Sequence, residues 1–385
     1  MNLAAAALVL AAVLTGCADV PPESASSATT TKPAGKPTAG PTSSPSKPSP
    51  SATPAPNKPP AAAPVLRSFP AKLPSGKPPL FVVVSFDGAG DLMLWSRWRT
   101  LAKQVDARMT FFLSGPYLYP EARRTDYRPP SKKPGASDIG WGDAAGIVGR
   151  TKVLREAIAE GHEIGTHANG HFCGKNGVGR WTAAQWRAEL NAFDRMVRTG
   201  PSLATGKTVA PPFDPATVKG MRTPCLEGNQ AAYRSVMVQR GMLYDASATG
   251  LIAWPAKANG VWNFPLQSVT LAGTKKTTLT MDYNLWFAQN KATKAPVAQA
   301  PKLKAQILAT YRQALATSRA GNNPPLFLGN HFNRWNNSVY SDALAEFVTQ
   351  TCAQPDVRCV SNVELVSWLT KYGVPTAPRT ARAPS

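Results

Sequence analysis

Phe81-Val-Val-Val-Ser-Phe86 runs without a charge or a turn residue into Asp87-Gly88. An unbroken apolar run of this length, rich in β-branched side chains and stopped by a polar pair, reads as a strand buried on both faces. Such strands belong to parallel sheets, which helices cover on either side. The chain downstream agrees. Leu92–Gln104 reads as a helix, Arg108–Leu113 as a strand, Val148–Glu160 as a helix stopped by Gly161, and His162–Gly165 as a short strand. Thr182-x-x-Gln185 has the form of a capping box opening a helix to about Arg198. Further strands are expected near Val218–Arg222, Met242–Asp245, Thr277–Asp282 and Pro325–Gly329, with helices at Asn229–Arg240 and Leu303–Arg319. Ser361-x-x-Glu364 caps a last helix. Repeated β-then-α units predict an α/β fold around a parallel sheet, open or closed into a barrel.

Upstream of this region the composition changes. Of 37 prolines, 17 lie in residues 18–80, among Ser, Thr, Ala and Lys with few large apolar side chains. Such a stretch cannot build a core and stays extended at about 3 Å per residue, so residues 18–79 read as a disordered linker. Before it, Leu3–Leu14 is an apolar run of twelve, too short to span a bilayer but suited to a signal-peptide core. Leu14-Thr15-Gly16-Cys17 resembles a bacterial lipobox, although no Lys or Arg precedes the apolar run. The expected organisation is a lipoprotein signal over 1–17, the linker over 18–79, one folded domain over 80–372 and a disordered tail over 373–385. The protein is expected to be exported and held to the membrane through lipidated Cys17, facing the cell wall.

An apolar content of 43% excludes wholesale disorder. The formal net charge is +21, and residues 18–80 carry only +5 of it, so the folded part is itself basic. That field favours an anionic neighbour. The chain has no zinc-finger, helix-turn-helix or RNA-recognition pattern, and export argues against nucleic acid, which leaves anionic cell-wall polymers as the expected partner. With Cys17 acylated, four cysteines remain, which allow two disulfides in three pairings. Nearness in sequence favours Cys352 with Cys359, leaving Cys173 for Cys225.

The polar residues with chemical potential fall just after strands: Asp87, His167, Arg222, Asp245, Asp282 and His331. The carboxyl ends of parallel strands are where such folds build sites, and the pattern favours a barrel with its site at that rim. Residues 115–146, rich in Gly, Pro and basic side chains, form a long insertion, either facing a substrate or merely covering the surface. His167-Ala-Asn-Gly-His171 puts two imidazoles four residues apart, where on a helix or in a turn entering one they share a face and can chelate Zn²⁺. Tryptophans 254, 262, 286 and 335 lie near later strand ends, and one or two of them are expected to offer indole faces to a sugar.

Five ordered segments now stand together: Ser85-Phe86-Asp87-Gly88, Thr110-Phe111-Phe112-Leu113-Ser114-Gly115, Gly161-His-Glu-Ile-Gly-Thr-His167-Ala-Asn-Gly-His171, Met221-Arg222-Thr223-Pro224 and Phe327-Leu-Gly-Asn-His331. In this order they resemble the polysaccharide deacetylase family (NodB-like, carbohydrate esterase family 4) over roughly residues 80–370. The resemblance implies a distorted (β/α) barrel and metal-assisted removal of N-acetyl groups from amino sugars of a cell-wall or cell-surface polysaccharide. It assigns Asp87 as general base, His167 and His171 as metal ligands, Arg222 as the group holding the base, and His331 as general acid. Asp245 or Asp282 orients His331, with Asp245 the first choice. The family's second motif-one aspartate, its third metal ligand, is replaced here by Gly88. Asp91, Asp282, Asp87 itself or water would have to fill that position. A catalytically inactive glycan-binding lipoprotein on the same fold is the alternative.

Overall fold

The computed structural model describes residues 62–376. The signal-like segment, Cys17, most of the proline-rich stretch and the end of the chain lie outside the described residues. The elements in chain order are β1 (Leu80–Gly88), α1 (Leu92–Gln104), β2 (Thr110–Leu113), α2 (Ala144–Ala159), β3 (Glu163–Thr166), α3 (Ala183–Thr205), β4 (Gly220–Met221), α4 (Gln230–Gln239), β5 (Tyr244–Asp245), β6 (Thr249–Gly250) and β7 (Lys257–Ala258). There follow β8 (Val261–Asn263), β9 (Leu266–Thr270), β10 (Thr277–Leu279), α5 (Asp282–Asn290), α6 (Ala300–Ala320), β11 (Leu326–His331), α7 (Val339–Cys352), β12 (Val357–Val360) and α8 (Asn362–Tyr372).

The main sheet has the order β11-β1-β2-β3-β4-β5-β8-β7, with every pairing parallel except the β7–β8 hairpin. β12 pairs with the first half of β1, where it continues the line of β2. A small second sheet, β10-β9-β6, stands beside β11 and touches it through a bridge from Met281 to Gly329. The result is a curled half-barrel of parallel strands, an α/β architecture of the expected kind. Thr277–Asp282 departs from expectation: its strand belongs to the small sheet, and Asp282 already opens α5.

Alternation along the strands divides the core in two. Val82, Val84 and Phe86 of β1 pack outward with Trp95 and Trp98 of α1 and with the other covering helices. Phe81 and Val83 point into the barrel, where they meet Phe112, Tyr244, Phe264, Phe327 and Trp368. Each such apolar side chain contributes about 1.5–3 kcal/mol on burial. The inward set fills the bottom of the barrel. By the same alternation Ser85 and Asp87 of β1, and Gly329 and His331 of β11, continue that inward face toward the rim.

The folded unit begins earlier than Leu80. Arg67 clamps buried Glu364 through its backbone N, Nε and Nη2, at 3.0, 2.9 and 2.9 Å. Phe69 packs edge-on against Phe81, and Trp368 donates its indole N–H to the Pro70 carbonyl. This stretch is proline-rich like the sequence before it, but one arginine with a buried carboxylate partner and one aromatic anchor tie it down. Both disulfides, Cys173–Cys225 and Cys352–Cys359, form as expected.

Candidate active site

Strand register assembles the site. Asp87 of β1 stands directly opposite His331 of β11. Thr166 of β3 stands opposite Met221 of β4, so the next residue of each strand, His167 and Arg222, are neighbours one step higher. Four of the expected residues thus reach one rim from four strands.

Arg222 is held on every side. Its Nη1 donates to Asp87 Oδ1 at 2.8 Å, Nη2 to Ser85 Oγ at 2.9 Å and Nε to the Ala246 carbonyl at 3.0 Å. Its guanidinium also lies 4.7 Å from the Phe112 ring centroid. Both Asp87 and Arg222 are buried. Burial pushes the Asp87 carboxyl up, but Arg222, then His167 and His331, outweigh it and hold the group below the usual carboxylate range. Asp87 is therefore a carboxylate at neutral pH.

His331 is shifted in the opposite direction. Burial lowers its pKa, but Asp282 overrides this and the imidazole is raised above its ordinary value. Its Nδ1 donates to Asp282 Oδ1 at 2.7 Å, and its backbone N–H donates to Asp282 Oδ2 at 2.8 Å. The two bonds fix the ring and leave Nε2 as the outward nitrogen. The ring is 27% exposed, so it reaches solvent from a rigid mount.

The orienting acid is thus Asp282 and not Asp245. Asp245 is wholly buried and already satisfied by Arg234 Nε at 2.8 Å, the Tyr233 hydroxyl at 2.9 Å and the Ser247 N–H at 2.9 Å. It ends a strand, but its charge is spent on a structural pair. Asp91 is likewise engaged: it caps α1 through the N–H groups of Met93 and Leu94 and faces Arg334.

His167 and His171 come together without a helix. Ala168 and His171 adopt left-handed conformations, with φ of 57° and 56°, which fold the intervening loop so that the two rings lie 5.1 Å apart. His167 Nδ1 donates to the Arg222 carbonyl at 2.8 Å, which leaves its Nε2 as a lone-pair nitrogen. That atom is buried and has no hydrogen-bond partner. Burial lowers the pKa of both rings, of His171 to about 3, so both are neutral. A neutral, oriented imidazole with an orphaned buried nitrogen is the donor a divalent metal requires, and its hydrogen bond to a carbonyl is the usual support of such a ligand. The pair fits a metal.

Among the described residues, no acidic side chain, Cys or third His completes a trio with both histidines within 4.8 Å. His171, Cys173 and Cys225 do lie that close together, but the two sulfurs are joined in a disulfide and offer no thiolate. Gly88 has φ +89°, and a Cβ there would meet only the Tyr117 ring at 3.6 Å. A Cβ has room; the backbone has turned into a region that favours glycine.

Of the four tryptophans, Trp335 is at the site, with its ring centroid 4.6 Å from that of His331 and Trp286 buried behind it. Trp254 stacks on Trp368 and Trp262 is buried in the barrel interior, both away from the rim. His162 accepts the Met109 N–H and is held neutral by burial at about 4, a structural residue.

Three contributors were not legible beforehand. Ser85 braces Arg222. Tyr127, from the long insertion, and Glu189, from α3, sit beneath the histidine loop, and burial pushes Glu189 up to about 7. The period-two position of Ser85 on the Asp87 face was the available signal for the first. A glutamate on the apolar stripe of α3 was the signal for the last.

No protein-family model matches the sequence, and no curated protein matches it. Among solved structures, the chain is similar to a candidate polysaccharide deacetylase of Mycobacterium smegmatis (18% identity, TM-score 0.49, covering 85% of this chain and 100% of that one). It is similar to a peptidoglycan deacetylase of Bacillus subtilis (13%, 0.39, 76% and 93%). It is also similar to a carbohydrate esterase family 4 pseudoenzyme of Bacillus anthracis (12%, 0.40, 79% and 69%). Likenesses at this level leave the function to be argued from the site's own residues.

Proposed function

We propose that the protein is a metal-dependent hydrolase that removes N-acetyl groups from amino sugars of a cell-wall or cell-surface polysaccharide. One observation carries the reading: a buried carboxylate paired with Arg222 stands across one strand pairing from a histidine whose pKa Asp282 raises, beside two neutral imidazoles. Amide hydrolysis needs this division of labour. Asp87, with Oδ1 tied to Arg222, uses its second oxygen to take a proton from water. His331 delivers a proton from Nε2 to the departing amine, which leaves only when protonated. His167 and His171 would hold the divalent metal, which two imidazoles and a hydrolytic role suggest is zinc. When bound, the metal polarises the amide carbonyl and supplies an activated water. Trp335 offers an apolar face to the sugar ring beside the acid.

The surroundings fit a wall glycan such as peptidoglycan. The apolar run ending at Cys17 supports export and lipid anchoring, and the basic domain suits anionic wall polymers. Gly88 favours a second reading, a glycan-binding protein without catalysis, because the family's third ligand is missing there.

Elemental analysis of the full-length chain after zinc loading, beside His167→Ala and His171→Ala, separates the two. About one equivalent of zinc lost in both variants, together with acetate release from N-acetylated wall glycan, is the expected outcome. Saccharide binding with neither zinc nor acetate release would establish the second reading.

A further inference from the structure

The histidine loop is held in place by a buried acid that the chemistry above does not use. Glu189 of α3 is 1% exposed and has no cation paired with it among the described ion pairs. Its carboxylate accepts the Asn169 N–H at 2.9 Å and the Tyr127 hydroxyl at 2.8 and 2.9 Å, while its backbone carbonyl accepts Asn169 Nδ2 at 2.9 Å. The Tyr127 hydroxyl in turn accepts the Gly170 N–H at 3.2 Å. Asn169 and Gly170 are two of the three residues between His167 and His171. The insertion adds one more bond, from the Asp138 N–H to the Gly170 carbonyl at 2.8 Å.

The loop needs such support. It contains two non-glycine residues with positive φ, Ala168 and His171, a conformation that persists only where the surroundings impose it. The polar groups of Asn169 and Gly170 are buried, so their N–H groups cannot turn to water if their acceptors are removed. Relaxation of the loop toward ordinary dihedrals would swing His171 away from His167, because the turn at position 171 itself aims that ring.

We propose that Glu189, acting with Tyr127, is a positioning residue for the histidine pair: the buried carboxylate holds the loop in its left-handed form and sets the separation of the two imidazoles. The long insertion is then part of the metal-binding apparatus, since it supplies Tyr127. This inference rests on the reading that the pair binds a metal.

The test is the affinity of the full-length chain for zinc, by competition with a chromogenic chelator, and the visible spectrum of its Co²⁺ form. Tyr127→Phe and Glu189→Ala are expected to weaken zinc binding roughly 10–100-fold and to change the cobalt spectrum, as removal of such supporting groups does elsewhere. Glu189→Gln retains an acceptor oxygen for Asn169 and is expected to stay within about threefold of the parent. Hydrogen exchange of the metal-free protein should find the Asn169 and Gly170 amides deprotected in Glu189→Ala, with the β1 and β2 amides unchanged. Parent-like zinc affinity and cobalt spectrum in Tyr127→Phe would overturn the positioning role while leaving the metal reading intact; Tyr127→Phe removes a single oxygen and decides the matter if Glu189→Ala does not fold. A parent chain that binds neither zinc nor cobalt would overturn the metal reading and this inference with it.

Discussion

Asp245 and Asp282 look alike in the sequence: each follows a Met-containing β-rich run and sits beside a tyrosine. Both are buried in the folded protein. Their partners differ. Asp245 faces Arg234, which is itself buried and has no exit to solvent, so the pair closes on itself. Asp282 faces His331, whose far nitrogen opens on the rim. A strand end provides a location; the proton-carrying ability of the partner decides whether an acid there does chemistry or holds structure.

The contrast can be broken in three places. The largest effect is expected from His331→Ala, which removes the proposed acid and should lower the rate of acetate release by roughly 10²–10⁴-fold. Its companion Asp282→Asn sharpens the point through pH. In the proposed reaction His331 must be protonated to act, and Asp282 holds its pKa above the ordinary value near 6.5. The activity therefore falls on the alkaline side at a pH above that value, and Asp282→Asn should move this limb to lower pH while the acid limb, set by Asp87, stays put. An unshifted alkaline limb would mean that Asp282 does not serve His331.

Next comes Asp245→Asn. Leaving Arg234 buried without its anion should cost about 3–5 kcal/mol of stability, read from denaturant unfolding, with the pH profile of the surviving folded enzyme unchanged. A shifted profile instead would return Asp245 to the chemistry.

The smallest effect concerns a third buried acid, at the opposite end of the strands. Glu163 opens β3, accepts bonds from Thr110, Tyr244 and the Val363 N–H, and burial pushes its pKa up to about 7. In the unfolded chain the same group titrates near 4.3. Between those values the folded state binds more protons than the unfolded state, so this group makes stability fall as pH rises from about 4.3 to 7. Glu163→Gln should flatten that slope by on the order of 2–3 kcal/mol across the window, measured as unfolding free energy against pH.

Much of the fold was legible because its signals are local. The run at Phe81–Phe86 specified a doubly buried strand, and two capping boxes, at Thr182 with Gln185 and Ser361 with Glu364, marked helix starts that the structure reproduces. α7 has no start signal, because it begins from a left-handed Ser338 whose side chain makes no cap bond; only the helical spacing of Tyr340, Ala343, Leu344, Phe347 and Val348 marks it. The extension of α3 past Pro201 escaped because a proline usually ends a helix. In the site, residues fixed by β1, β3, β4 and β11 were readable from strand position. Asp282 was not separable from Asp245, because the small β10–β9–β6 sheet carries it onto His331 through contacts remote in sequence. The form of the histidine loop is hidden for a related reason: four-residue spacing fits a helix or a turn entering one, and nothing local in the sequence specifies the left-handed turns at Ala168 and His171.

The Cys173–Cys225 bond has a topological consequence. It joins the chain two residues beyond His171 to the chain three residues beyond Arg222, across a separation of 52 residues that includes all of α3 and the connection into β4. That connection runs over the surface at Gly206 and Lys207. A protease that severed it would leave one covalent molecule with two new ends, and the histidine pair and the arginine would still travel together. The backbone could therefore be nicked there without its two halves parting.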